Sequence, residues 1–208
     1  MDNIKKFKII NKELKRLYPT IKIALNFSNV WELLVATILS AQTTDKKVNE
    51  ITFKLFRKYR SIGDYAKAKL NEFEKDIFGV NYHKTKAKAI IEDVKILQDK
   101  FSGKVPKTME ELLTLKNVAR KSANIVLSIG FNINEGFAVD THVIRLSNLY
   151  GLTSNKDPKK IEKDLLLIIP EEERKEFQLR IVQYGRDYCP AKKHDHENCP
   201  LVLVLNKK

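Results

Sequence analysis

No stretch of this chain alternates apolar and polar residues long enough to build a strand. Apolar residues recur three and four apart instead, which is the spacing of one helix face, so the sequence predicts an all-α protein. Residues 3–17 carry Ile4, Phe7, Ile10, Leu14 and Leu17 among lysines, and Tyr18-Pro19 ends the run. Residues 30–41 are nearly all apolar and predict a helix buried on every side, capped by Ser28 or Asn29. Asp45 is placed to cap a helix over 46–58. One or two short helices fit 64–77, and Gly79-Val80-Asn81-Tyr82 reads as a turn. A long helix over 84–100 presents Ala87, Ile90, Ile91, Val94 and Leu97 on one face. Thr108 with Glu111 forms a capping-box pattern opening a helix to Leu115. Later helices fit 140–150, 158–168 and 171–187, with Asp157-Pro158 and Pro170 at two of their starts.

Two stretches carry candidate chemistry. Residues 112–127 read as a helix end, a four-residue hairpin (Lys116, Asn117, Val118, Ala119) and the start of a second helix. Such a hairpin aims backbone N–H groups and a helix N-terminus at a guest anion, and a phosphate fits that role. Lys121 lies in the first turn of the second helix, where the positive end of the dipole and neighbouring Arg120 both disfavour an ammonium. A nucleophilic lysine must be neutral, so this is a place to put one. A lysine in so lysine-rich a chain is ordinarily a solvated surface charge. Asp140 opens the helical pattern of Val143, Ile144, Leu146 and Leu149; an aspartate there is ordinarily an N-cap.

A net charge of +13 over 208 residues points to a polyanionic partner, nucleic acid before an acidic membrane surface. Part of that excess is a compositional bias toward lysine. The two cysteines, Cys189 and Cys199, make no disulfide framework and suit a reducing compartment. The N-terminus lacks the apolar core of a signal peptide, and the runs at 165–169 and 201–205 are too short to span a bilayer. The expectation is a soluble cytoplasmic protein, nucleoid-associated in a prokaryote.

Taken in order, the run at 33–45 (LLVATILSAQTTD), the hairpin with Lys121, and the FAVD of 137–140 resemble the endonuclease III family of DNA glycosylases, in the helix-hairpin-helix superfamily. The resemblance covers about residues 26–200. It implies two helical domains: a six-helix domain over 23–134 containing the hairpin, and a second over 1–22 plus 135–208, with a cleft holding Lys121 on one wall and Asp140 on the other. It implies excision of oxidised pyrimidines from duplex DNA after the nucleotide is flipped out, and nicking by β-elimination, the work of a DNA glycosylase with AP lyase activity in base excision repair. Lys121 would be the nucleophile on the sugar; Asp140 would stabilise its positive charge. Relatives without the lysine use water and do not nick. DNA contacts would fall on Gln42, which helps fill the gap left by the extruded nucleotide, on Lys116, Asn117, Val118, Ala119 and Arg120, and on His142. The expected partner is damaged double-stranded DNA, met by a monomer. The family's wedge residue lies in the loop before Lys86-Ala87; the loop's length leaves Val80, Asn81 and Tyr82 open for that role. Two other readings stand beside this one: a monofunctional glycosylase of another base class, and a non-catalytic DNA-binding protein that kept the fold.

The chain departs from the family twice. Its hairpin reads Leu-Lys-Asn-Val-Ala-Arg-Lys where the family usually has Leu-Pro-Gly-Val-Gly-Arg-Lys. Asn117 tolerates a positive φ, and Ala119 survives if its backbone is helical or extended. The family's four cysteine ligands to a [4Fe–4S] cluster fall here on Cys189, His196, Cys199 and Leu205. Two thiolates do not make the usual all-cysteine set, so no cluster is expected. The expected loop is metal-free, packed by the apolar residues 201–205. Zinc on Cys189, His194, His196 and Cys199 is the alternative, with the two-residue spacing of the histidines against it.

Overall fold

The computed structural model describes residues 1–206. Its described residues are helical with no strand, and among them no helix is long and apolar enough to cross a membrane. The chain divides into two compact units, Ile23–Ile133 and Met1–Lys22 with Asn134–Lys208.

In the unit Ile23–Ile133, α2 (Val30–Ser40) is capped by the Asn29 side chain, which accepts from the Glu32 N–H, and buries every residue from Trp31 to Leu39. Around it stand α3 (Asp45–Lys58), α4 (Ile62–Lys67), α5 (Leu70–Asp76), α6 (His83–Phe101), α7 (Met109–Leu112) and α8 (Arg120–Ile125). Tyr65 is fully buried, its ring 5.1 Å from Trp31, 5.0 Å from Tyr59 and 5.6 Å from Phe73. Offset and edge-on aromatic packing of this kind adds to the burial of large apolar area. The last turn of the hairpin's second helix widens into a π-helical stretch, Val126–Gly130. There Gly130 meets α2 so closely that a Cβ would stand 3.0 Å from Val30 Cγ1 and 3.2 Å from Leu33 Cδ2.

Local chemistry corrects several sequence expectations. Thr44, not Asp45, caps α3 by accepting from the Lys47 N–H, and Asp45 becomes its first helical residue. The full capping box is at Ser61 and Asp64, so α4 begins two residues earlier than expected. At Thr108 the hydroxyl accepts from the Glu111 N–H and donates to the Glu111 carboxylate at 2.7 Å. That carboxylate is thereby drawn to the hydroxyl, not the backbone of a reciprocal box. α7 ends after one turn, at Leu112 and not Leu115. From there the bonds tighten to three-residue spacing, Thr114 N–H to Glu111 and Leu115 N–H to Leu112, as helix ends commonly do.

The other unit holds α1 (Asn3–Leu17), α9 (Thr141–Leu149), α10 (Pro158–Ile168), α11 (Glu171–Asp187) and α12 (Pro200–Asn206). Phe7 of α1 packs edge-on against Phe177 of α11 at 5.1 Å, and Tyr150 and Tyr184 bring their hydroxyls to 3.3 Å inside the same core. The apolar residues 201–205, left without an assigned element by the sequence, are helical, and Leu201 is fully buried in this core.

Candidate active site

The hairpin is built on Leu115 and Val118, both buried, which anchor it while Lys116, Asn117, Ala119, Arg120 and Lys121 face solvent. Asn117 has φ of 54°, the left-handed conformation that asparagine reaches at modest cost. Ala119 is extended, φ −93° and ψ 168°, so a methyl is accommodated where the family usually has glycine. The Ala119 carbonyl accepts from the Ala123 N–H and starts the second helix. Lys121 is thereby exposed in the first turn of α8.

A residue the sequence reading passed over holds the hairpin from behind. Asp93 of α6 is fully buried, and its Oδ1 accepts from the Lys116 backbone N–H at 2.5 Å; its Oδ2 has no partner. Burial outweighs that bond and pushes the carboxyl up to about 7. The signal was present: Asp93 interrupts the apolar stripe of Ile90, Val94 and Leu97.

Lys86 lies on the same helix and is also buried. Its ammonium donates to the carbonyls of Leu39 at 2.8 Å and Ala41 at 2.6 Å, closing the C-terminal end of α2 where a cation is favoured. Burial lowers its pKa to about 8. It thus fixes the exit into the Gln42 loop. Gln42 is exposed at φ 55°. Its carbonyl accepts from the Asn81 side-chain amide, and the Asn81 N–H donates to Thr43 Oγ1 at 3.1 Å. Three segments distant in sequence converge here: Gln42, Tyr82, Lys86 and Asn117 line one cavity of about 220 Å³. Among the turn residues, Val80 is 2% exposed and Tyr82 65%, with Tyr82 at φ 58°.

Asp140 belongs to the other unit. The run before it is tied down where the Phe137 N–H donates to the buried Glu162 carboxylate at 3.2 Å. Asp140 caps α9, its Oδ1 accepting from the Val143 N–H at 2.8 Å. His142 follows in the first turn, half-buried; burial is the largest influence on it and lowers its pKa. Gly185 of α11 leaves room for that ring, since a Cβ there would lie 2.7 Å from His142 Nδ1.

In the same unit, Cys189, His194, His196 and Cys199 bring one ligand atom each within 4.8 Å of all the others, a set able to hold a metal ion.

These arrangements have close counterparts. Residues 35–171 match the HhH-GPD superfamily of base excision DNA repair proteins. The chain is 44% identical to endonuclease III of Synechocystis sp., over 91% of this chain and 86% of that protein. It is 36% identical to endonuclease III of Bacillus subtilis, over 100% of this chain and 94% of the relative. A solved non-covalent endonuclease III–DNA complex superposes with a TM-score of 0.92 at 36% identity, covering 98% of this chain and 95% of that one. A trapped endonuclease III–DNA covalent intermediate superposes equally well, at 0.92 and 36%. With this identity carried over nearly the whole chain, the protein belongs to the HhH-GPD superfamily and, within it, to the endonuclease III family.

Proposed function

We propose that this protein is a bifunctional DNA glycosylase and AP lyase that removes oxidised pyrimidines from damaged duplex DNA. The observation that carries the reading is Lys121: an exposed amine in the first turn of α8, directly after a hairpin whose backbone keeps its shape without glycine. The endonuclease III relative captured covalently on DNA supports a nucleophile of this kind.

In this reading the hairpin N–H groups and Lys116 bind a backbone phosphate, with Arg120 and Val118 completing the contact. The target nucleotide leaves the stack, Gln42 enters the gap, and Tyr82 is the wedge. Burial removes Val80 from that role, the Asn81 amide is engaged by Gln42, and Tyr82 alone of the three projects freely as a large apolar group. Lys121 Nζ attacks C1′ and the base departs. Opening of the sugar ring at C1′–O4′ turns that adduct into a protonated Schiff base, which acidifies C2′–H; loss of that proton expels the 3′-phosphate as the C3′–O bond breaks. Asp140 retains one carboxylate oxygen beyond its cap bond to offset positive charge developing on the sugar. His142 lies in the same turn and contributes to DNA contact.

Nothing in this chemistry passes through the cysteine loop. The family's [4Fe–4S] group does not fit the residues there: two cysteines stand where four are used, and Leu205 occupies the last position, packed against the apolar core.

The test is borohydride trapping on duplexes carrying thymine glycol or an abasic site. Wild-type protein gives a covalent complex; Lys121→Gln gives none while its circular dichroism and melting midpoint match wild type. Undiminished trapping in that variant puts the nucleophile elsewhere.

A further inference from the structure

We propose that Cys189, His194, His196 and Cys199 form a mononuclear zinc site in the position where relatives carry an iron–sulfur cluster. The inference is independent of the catalytic reading.

Distance is the first argument. A tetrahedral zinc with bonds of about 2.0–2.3 Å sets its ligand atoms roughly 3.3–3.8 Å apart. The four candidate atoms already lie within 4.8 Å of one another, and Cys189 Sγ stands 3.7 Å from His196 Nδ1. One ion fits that enclosure after small adjustments; a four-iron cube, whose body keeps its ligands apart, does not. The chain path resolves the objection from spacing. Residues 194–196 are neither helix nor turn. The fold brings the two rings together all the same, with the His194 and His196 centroids 5.6 Å apart and one ligand atom of each in the cluster.

The second argument is polar satisfaction. Both thiols are buried, Cys189 completely. His194 Nε2 is buried with no hydrogen-bond partner, while Nδ1 lies 2.9 Å from the Lys192 carbonyl. A carbonyl only accepts, so the neutral ring carries its proton on Nδ1 and leaves an unpartnered lone pair on buried Nε2. That division of labour is typical of metal-bound histidine. Arg145 completes the surroundings: its Nη2 donates to the Cys189 carbonyl at 2.6 Å, and its Nη1 lies 3.6 Å from the Cys189 sulfur. A cation there suits a thiolate.

Two sulfurs and two nitrogens in a tetrahedral enclosure select zinc over hard cations such as magnesium. The ion would fasten the end of α11 to the start of α12 and hold the exposed Lys192 and Lys193 in a fixed loop. α12 packs Leu201 into the core as well, so metal and apolar burial act together at this end of the unit.

The test is metal analysis of full-length protein purified without a histidine tag. The expected result is about one zinc per chain, no stoichiometric iron, and less than a tenth of that zinc in the Cys189→Ser/His194→Ala double variant. Should the variant not fold, wild-type protein stripped by a chelator and titrated with cobalt(II) supplies the answer. It should take one equivalent with the intense visible bands of a tetrahedral thiolate site, displaced by zinc, and chelation should lower the melting midpoint by roughly 5 °C or more. Stoichiometric iron, a Cys189–Cys199 disulfide, zinc retained by the double variant, or failure to bind cobalt would each overturn the proposal.

Discussion

The hairpin at 116–119 and the loop at 189–199 both depart from the family pattern, and they absorb the departure differently. The hairpin lost two glycines and kept its backbone: Asn117 holds the left-handed conformation and Ala119 the extended one. In the proposed function the hairpin supplies backbone N–H direction, which every residue except proline carries. The loop lost two thiolates, and no change of conformation restores a ligand atom. There the fold gathers new donors, His196 in place of one cysteine and His194 from outside the pattern. Positions that supply geometry tolerate substitution wherever φ and ψ allow it. Positions that supply an atom do not.

The largest test of this distinction is Asp140→Asn. Asparagine caps a helix as well as aspartate, so the bond to the Val143 N–H and the melting midpoint should survive. Single-turnover base release should nonetheless slow by about 10²–10⁴, the scale of lost electrostatic and acid–base assistance. A rate within a few-fold of wild type would make Asp140 a capping residue and nothing more. Asn117→Val tests the geometric side. A β-branched residue in the left-handed region costs about 1–2 kcal/mol, which should appear as roughly tenfold weaker binding to undamaged duplex; Asn117→Gly should bind at least as well as wild type. Equal affinities for valine and glycine at 117 would mean that the φ of 54° is not needed for binding.

The smallest effect is expected at Asp93. Its folded pKa of about 7 lies above the 3.8 of an ordinary aspartate, so between these values the folded state holds more protons than the unfolded one. Stability contributed by this group is therefore present below about pH 4, falls as pH rises toward 7, and stays low above it. Asp93→Asn keeps an acceptor for the Lys116 N–H and removes the titration. Its urea midpoints should lie on a flatter curve from pH 4 to 8, with stability at pH 8 within about 1 kcal/mol of wild type, because the amide nitrogen is left as unpartnered as Oδ2. A wild-type curve that already rises through this range, with the variant parallel to it, would show that Asp93 does not drive the slope.

Much of the fold was legible before any coordinates. Apolar spacing marked α1, α6 and α9, because burial of one helix face acts through residues three and four apart; an unbroken apolar run marked α2, and prolines at their starts marked α10 and α11. The short runs around Gln42, Lys121 and Asp140 stood out in the sequence as motifs, but Lys86, Asp93 and Glu162, which hold them in place, lie far away along the chain. Helix ends were less legible. Thr44 and Asp45 are both competent caps, and the choice depends on where the preceding buried helix releases the chain. Asp93 and Lys86 went unnoticed as partners because a buried charge is explained only by what it meets, a backbone N–H 23 residues away and carbonyls up to 47 residues away.

The sequence by itself determined the all-helical class, the order of the helices and the family, since helical period and short motifs are properties of neighbouring residues. Only the tertiary structure decided which turn residue projects, what anchors the hairpin, and that four side chains within eleven residues of loop meet at one point. Those outcomes depend on where packing places a side chain in space, and local spacing carries no record of that.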